Sequence, residues 1–171
     1  MLILESASTG DGKINGRTTI QKIAYFSVSG LGIENDYMPH YFGPYSPSIS
    51  SSIEELISIG FVEDKLIITN KGRKMYSYFL TDDGKVYSFN LAKKFKTAFS
   101  KIKEIVDSVE QISGDRINRI SCAAKIHYLS RNSREKNLDI KSALTKAKSL
   151  GWDLGEKQII KGIETLQNLK T

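Results

Sequence analysis

Few side chains in this sequence have the type and spacing that metal binding or covalent catalysis requires. His40 and His127 are the two histidines, and neither has a Cys, Asp or Glu at ligand spacing, so we predict no metal site. Cys122 is the single cysteine and lies in a segment of helical periodicity, where we expect it to be buried and unreactive. His127 lies on the apolar face of the same segment and is interpreted as a core residue.

Two pairs of adjacent carboxylates are the remaining candidates for acid–base chemistry. Asp82 and Asp83 fall in a predicted turn, where neighbouring residues do not converge on one substrate, and Glu54 and Glu55 fall on a solvent-facing helix surface. The run GDGKING at 10–16 lacks the GK[ST] ending and the preceding strand of a phosphate-binding loop. With GxSxG, HExxH and GxGxxG also absent, the sequence predicts no catalytic residue, no cofactor and a non-enzymatic protein.

The positive charge of the chain is concentrated in its second half. The formal net charge is +6, with 8 Lys/Arg against 10 Asp/Glu in residues 1–85 and 17 against 9 in residues 86–171. This asymmetry favours an anionic partner, although solvated helix faces of a lysine-rich protein would give the same pattern. If the partner is a nucleic acid, the predicted contacts are Arg116, Arg119, Lys125, Arg131, Arg134, Lys136, Lys71, Arg73 and Lys74.

The most strongly patterned segment of the sequence begins with an extended aromatic run at 37–42. Ser46 and Pro47 are typical of the N-cap and the first position of a helix. Apolar residues at i, i+4, i+7 and i+8 continue this helix to Ile59, and Gly60 is placed to end it.

A hairpin and a further helix are predicted after this helix. Residues 61–62 would pair with 66–68 across a turn at 63–65, and Thr69 would cap a helix over 70–80. Helix, tight hairpin and trailing helix is the order of a winged helix-turn-helix. We therefore predict a mainly α fold with a small β hairpin, in which a winged-helix-like domain spans residues 1–81.

The N-terminal residues contribute less to this prediction. Residues 2–8 are compatible with a short helix or a strand, and Thr18 or Thr19 can cap an amphipathic helix that runs to Leu31. A turn at 82–85 is the candidate domain boundary.

A basic helical bundle is predicted for residues 86–171, which can share one core with the first domain. The stripe of the first helix is typical of a core face, and it would also suit a homodimer seam. Trp152, the single tryptophan, is expected to close the end of the bundle. The predicted helices are Leu91–Ile112, Ile117–Ser130, Ile140–Leu150 and Glu156–Leu169.

The predicted recognition helix is poorly suited to reading a DNA groove. Its solvent face carries serines together with Glu54 and Glu55, whereas base edges are usually contacted by Arg, Lys, Asn or Gln. The predicted wing tip at 63–65 is short and acidic. Contact with a nucleic acid is therefore expected mainly through phosphates and the basic C-terminal half.

Three stretches of the sequence carry a family resemblance. Residues 16–26 (GRTTIQKIAYF), 41–46 (YFGPYS) and 55–63 (ELISIGFVE) resemble the bacterial and archaeal YwgA family, which has no established activity. The same order, with an LQK-like helix before a GPV or GPYS turn, resembles the related Panacea-type domains. That resemblance implies a helix-rich fold and a toxin-neutralising, protein-binding role.

Two functions are therefore expected of this chain. The first is a regulatory protein that associates with nucleic acid through its basic C-terminal helices. The second is a protein-binding or antitoxin-like module in which Gln21, Tyr41 and Tyr45 line a groove, since aromatic residues are favoured at protein interfaces. The GPYS turn would equally serve as scaffolding.

We expect a cytoplasmic protein. The N-terminus does not have the pattern of a signal peptide, no apolar run approaches the roughly 18 residues of a membrane span, and one cysteine cannot form an internal disulfide.

Overall fold

The computed structural model describes residues 1–7, 12–70, 72–132 and 139–169. Within these ranges the protein is mainly helical, with eight helices and one small three-stranded antiparallel sheet. None of the described helices is both long enough and apolar enough to cross a membrane. The elements in chain order are α1 (Leu2–Ala7), β1 (Lys13–Asn15), α2 (Arg17–Gly30), α3 (Pro47–Ser58), β2 (Val62–Ile68), β3 (Lys74–Leu80), α4 (Asp82–Lys94), α5 (Lys96–Glu110), α6 (Arg116–Arg131), α7 (Ile140–Ser149) and α8 (Glu156–Asn168).

The sheet has β3 at its centre, with β1 on one side and β2 on the other. β2 and β3 form a hairpin of seven residues per strand, in which Val62 lies opposite Leu80. β1 pairs with the other edge of β3, where Ile14 lies opposite Tyr78. All four of these side chains are buried, so the sheet closes one side of the core.

The prediction of a helix over 70–80 is wrong, because β3 occupies most of this segment. Its sequence, KMYSYFL, is rich in aromatic residues, which pack well on a pleated surface. Thr69 does not cap a helix; its Oγ1 accepts a hydrogen bond from Arg73 N (3.1 Å) in the turn between the strands. The predicted turn at 63–65 is also wrong, since these residues lie inside β2 and the hairpin is longer than expected.

Two further boundaries in the second half differ from the prediction. Residues 82–85, which were predicted to form a turn, are the first turn of α4, where Thr81 Oγ1 accepts a hydrogen bond from Gly84 N (3.0 Å). The predicted helix Leu91–Ile112 is two helices, α4 and α5, which are separated at Phe95 by a backbone with φ −113° and ψ 50°.

The predictions of α3, α6, α7 and α8 are confirmed to within one residue at either end. Each of the first three begins at a side-chain cap, as the sequence indicated for α3. Ser46 Oγ accepts from Ile49 N (3.1 Å), and carboxylates of Asp115 and Asp139 cap α6 and α7 in the same way. Residues 2–8, which were open between helix and strand, contain the helix α1.

Two clusters of buried apolar side chains form the interior. The main cluster combines α1, α2 and the sheet with α5 and α6, and includes Phe26, Val62 and Ile105. It therefore contains residues from both predicted segments, 1–81 and 86–171. The second cluster joins α6, α7 and α8 around Trp152, which is 2% exposed, as expected for a residue that closes the bundle.

Candidate functional site

Side chains of α2 form hydrogen bonds to the backbone of the segment that connects α2 and α3. Met38 and Tyr45 exchange two backbone hydrogen bonds of 2.9 Å, which close residues 38–46, called the GPYS loop below. Gln21 Nε2 donates to Ser46 O (2.9 Å), and Gln21 Oε1 accepts from Ser46 N (3.1 Å). Lys22 Nζ donates to Pro44 O (2.7 Å). Consecutive polar residues of α2 thus hold the loop in one position.

Gly43 lets the GPYS loop pass close to two lysines. Its φ of 95° is in the left-handed region, which other residues adopt only with strain. A Cβ atom at this position would lie 3.1 Å from Lys125 Cγ and 3.4 Å from Lys22 Cε. Both the backbone conformation and the limited space therefore require glycine here.

Two more side chains anchor the loop at its ends. Asp36 accepts hydrogen bonds from Ser46 Oγ and from Ser48 N (3.0 Å), and these bonds lower the pKa of its carboxyl group. Trp152 Nε1 donates to His40 O (2.7 Å), which connects the loop to the second apolar cluster. The loop is consequently held by α2 and Asp36 on one side and by Trp152, which follows α7, on the other.

A cavity of about 190 Å³ opens beside the GPYS loop. Lys22 is only 2% exposed, and its burial, together with the charge of Lys125, lowers its pKa from 10.5 to about 7. Arg17 is exposed at the same cavity and donates from Nε to the hydroxyl of Tyr78 (2.9 Å). The lining residues are Arg17, Thr18, Gln21, Lys22, His40, Phe42, Tyr45 and Ser50.

The three residues predicted to bind a protein, Gln21, Tyr41 and Tyr45, differ in exposure. Tyr45 is half-buried and lines the cavity, whereas Tyr41 is 74% exposed. Gln21 also lines the cavity, but it is 3% exposed and its amide is bonded to Ser46 through both polar atoms. Gln21 therefore positions the loop.

The described residues that were predicted to bind nucleic acid lie on two elements, the β2–β3 hairpin and α6. Arg73 and Lys74 are exposed at the turn end of the β2–β3 hairpin. Lys71, Arg134 and Lys136 lie outside the described residues. The four cations of α6 face different neighbours: Arg116 donates to Glu110 O (2.8 Å), Arg119 to Thr165 Oγ1 (3.3 Å) and Arg131 to Ser29 Oγ (2.6 Å), and Lys125 Nζ lies 5.5 Å from the centroid of the Trp152 ring.

Cys122 and His127, which the sequence excluded from chemistry, both lie on α6, where Cys122 is buried and His127 is partly buried. The prediction that Cys122 is buried is confirmed, and burial raises the pKa of its thiol. His127 Nδ1 lies 2.9 Å from the Tyr25 hydroxyl, and burial, aided by the charge of Arg131, lowers the pKa of His127 to about 4. Neither side chain lines the cavity beside the GPYS loop.

Sequence reasoning missed the cations and one aromatic residue of this cavity. Lys22 lies between Gln21 and Ile23 in a part of α2 that is buried on all sides, and a lysine among predicted core residues was a usable signal of a buried charge. Arg17 and Phe42 had no comparable signal, because only the packing of the loop on α2 brings them together.

The comparisons with known proteins show a distant similarity over part of the chain. No model of a known protein family matches the chain. A segment of 78 residues is 33% identical to the uncharacterised protein YwgA of Bacillus subtilis (strain 168). The similarity covers 44% of this chain and 46% of that protein, so the chain spans less than half the length of the curated relative that it matches. It is a distant similarity to a protein without a known activity.

Proposed function

We propose that this chain is a non-enzymatic module that binds a protein partner through the exposed aromatic residues of the GPYS loop. The observation that carries the proposal is the pair Tyr41 and Phe42, which are 74% and 50% exposed with ring centroids 4.8 Å apart. Met38, 49% exposed, belongs to the same loop. Tyr, Phe and Met are the residue types that are enriched at protein interfaces.

The hydrogen bonds of the loop support the same proposal. Gln21, Lys22 and Trp152 hold its backbone at three points, so the exposed rings are presented by a preorganised segment. A loop that is already ordered loses less conformational entropy when a partner binds. The resemblance to Panacea-type domains favours a toxin as the partner.

A pull-down with the purified chain as bait tests this function. The double variant Tyr41→Ala/Phe42→Ala should lose a partner that the native chain retains. Phe89→Ala is the matched control, because Phe89 is 52% exposed on α4, and it should retain the partner. A partner held equally by all three baits, or none held by the native chain, would contradict the proposal.

A second candidate function is nucleic-acid association by a winged-helix-type unit. The order α1–β1–α2–α3–β2–β3 and the strand order β1–β3–β2 support a winged-helix assignment for residues 1–80. The hairpin is longer than the sequence predicted, and Arg73 and Lys74 are exposed at its end, where a wing contacts phosphates.

Gel-shift titrations at increasing salt test this second function. The charge reversal Arg73→Glu/Lys74→Glu should weaken duplex binding and reduce its salt dependence. The matched control is Lys157→Glu/Lys161→Glu on the exposed surface of α8, which changes the net charge by the same amount. This control should leave duplex binding unchanged. Binding that is absent at low salt, or affected equally by both double variants, would exclude the wing as the contact.

A further inference from the structure

The ammonium group of Lys22 lacks a counter-ion within the described part of the chain. Lys22 is buried beneath the GPYS loop, and its single hydrogen-bond acceptor among the described residues is Pro44 O. An ammonium group carries three N–H donors, and a buried charge is costly unless an opposite charge pairs with it. Two donors of a buried cation are thus left for a group that enters the cavity.

From this geometry we propose that the cavity beside the GPYS loop is a binding site for a carboxylate. The anion would accept hydrogen bonds from Lys22 Nζ at the base of the cavity, with Arg17 at its rim. The rings of Phe42 and Tyr45 would contact the apolar atoms that carry the carboxylate. This site extends beyond the proposed partner surface, and its occupation does not require that surface to be correct.

The charges around the cavity favour a single negative charge. Arg17 is opposed electrostatically by Glu54 of α3, whereas no carboxylate of the described residues opposes Lys22. Of the two lysine or arginine side chains that line the cavity, Lys22 is thus the one without an opposing carboxylate among the described residues, and Lys125 lies near it but outside the lining. A single carboxylate neutralises Lys22, whereas a dianionic phosphate would bring a second negative charge that no further cation of the described lining balances. The volume of about 190 Å³ is below the roughly 300–1,000 Å³ of pockets for drug-sized ligands, so the ligand is a small acid or one terminal group.

Binding at this site should depend on pH through Lys22. Its pKa of about 7 in the unliganded protein means that an anion selects the charged form. Affinity should then fall about tenfold per pH unit above 7. The charged or titratable groups around Lys22 and its cavity are Lys125 on α6, Arg17 on α2 and His40 and Tyr45 on the loop. Glu54 on α3 interacts with Arg17.

Titration calorimetry and amide chemical shifts with three matched probes test the site. Benzoate should bind the native chain at pH 6 and shift the amides of the GPYS loop, while benzamide, its neutral analogue, and phenyl phosphate should bind at least tenfold more weakly. Benzoate affinity should decrease between pH 7 and pH 9. Lys22→Met, which keeps the length of the side chain without its charge, should abolish benzoate binding, and Arg17→Gln should weaken it.

The pH series on the native chain decides the proposal even if Lys22→Met does not fold. Equal binding of benzoate and benzamide, tighter binding of phenyl phosphate, a pH-independent affinity or no binding of benzoate would overturn it. A peptide with a free C-terminal phenylalanine, with its C-terminal amide as the control, tests whether the ligand is a polypeptide terminus or a free acid. Tenfold tighter binding of the acid peptide than of benzoate assigns the site to a terminus. Equal or weaker binding of the acid peptide assigns the site to small acids. Failure of benzoate to bind the native chain would not change the outcome of the pull-down with the native chain, so the two proposals fail separately.

Discussion

At the scale of single residues, Lys22 couples the stability of the fold to pH. Its pKa is lowered from 10.5 to about 7 in the folded chain, chiefly because burial disfavours the charged form. Between these values the unfolded chain binds a proton that the folded chain does not bind. The contribution of Lys22 to the free energy of unfolding therefore increases as the pH rises from about 7 to 10.5. The same contribution decreases again as the pH falls towards 7.

The variant Lys22→Met should remove this pH dependence. We expect the free energy of unfolding of the native chain to rise more steeply between pH 7 and pH 9 than that of Lys22→Met, by roughly 1 kcal/mol per pH unit. Urea denaturation of both chains at pH 7, 8 and 9 measures the difference. Parallel pH profiles would show that Lys22 is charged in the folded state.

His127 should produce the corresponding effect on the acid side. Its pKa is lowered from 6.5 to about 4, so only the unfolded chain gains a proton between these values, and stability declines as the pH falls from 6.5 to 4. His127→Gln keeps a polar partner for the Tyr25 hydroxyl without titrating. The variant should lose less stability than the native chain between pH 7 and pH 5, by roughly 2 kcal/mol, in urea denaturation. An identical loss in both chains would exclude His127 as the cause.

At the scale of elements, helix starts were the most predictable features of the sequence. Ser46, Asp115 and Asp139 each cap a helix, because a short polar side chain satisfies a free backbone N–H wherever the helix later packs. These signals are local, so they can be read without the fold. The start of α3 was predicted from Ser46 for this reason.

The strands were less predictable because their pairing is not local. β1 is three residues long, and its position beside β3 depends on contacts more than 60 residues away in sequence. β3 was mistaken for a helix because Met75 and Phe79 have helical spacing as well as a place on a strand. Pairing with β2 makes this segment a strand, and the spacing of apolar residues within β3 does not distinguish a strand from a helix.

The junction between β2 and α4 depends on a single glycine. An ideal Cβ at Gly84 would lie 2.0 Å from Phe61 O and 2.9 Å from Phe61 C, both backbone atoms. Gly84→Ala should therefore destabilise the chain by roughly 3 kcal/mol, at the upper end of overpacking costs, in urea denaturation. Gly155→Ala is the matched control, because its nearest atom is a side-chain oxygen at 3.7 Å, and it should cost about 1 kcal/mol or less. Equal losses in both variants would mean that α4 shifts freely from Phe61.

At the scale of the whole molecule, the candidate site is assembled from distant parts of the sequence. Gln21 was predicted to share a groove with Tyr41 and Tyr45 of the GPYS run, whereas the contact of Lys22 with this loop was not predicted. The connection from His40 to Trp152 spans 112 residues, and no spacing in the sequence indicates it. The cavity follows from that tertiary arrangement, which explains why Arg17 and Phe42 were not predicted.

The shared core predicts that the chain unfolds as one unit. Residues of α6 belong to both apolar clusters, and Tyr128 and Leu166 pack against both. Because separate domains would need separate cores, we expect one cooperative transition. Fluorescence of Trp152, the single tryptophan, reports on the second cluster, and far-ultraviolet circular dichroism reports on all helices. The two urea midpoints should coincide within about 0.2 M, given the usual slopes of about 1–3 kcal/mol per molar urea. A tryptophan transition that precedes the loss of helix would instead mean that the second cluster unfolds separately from the first.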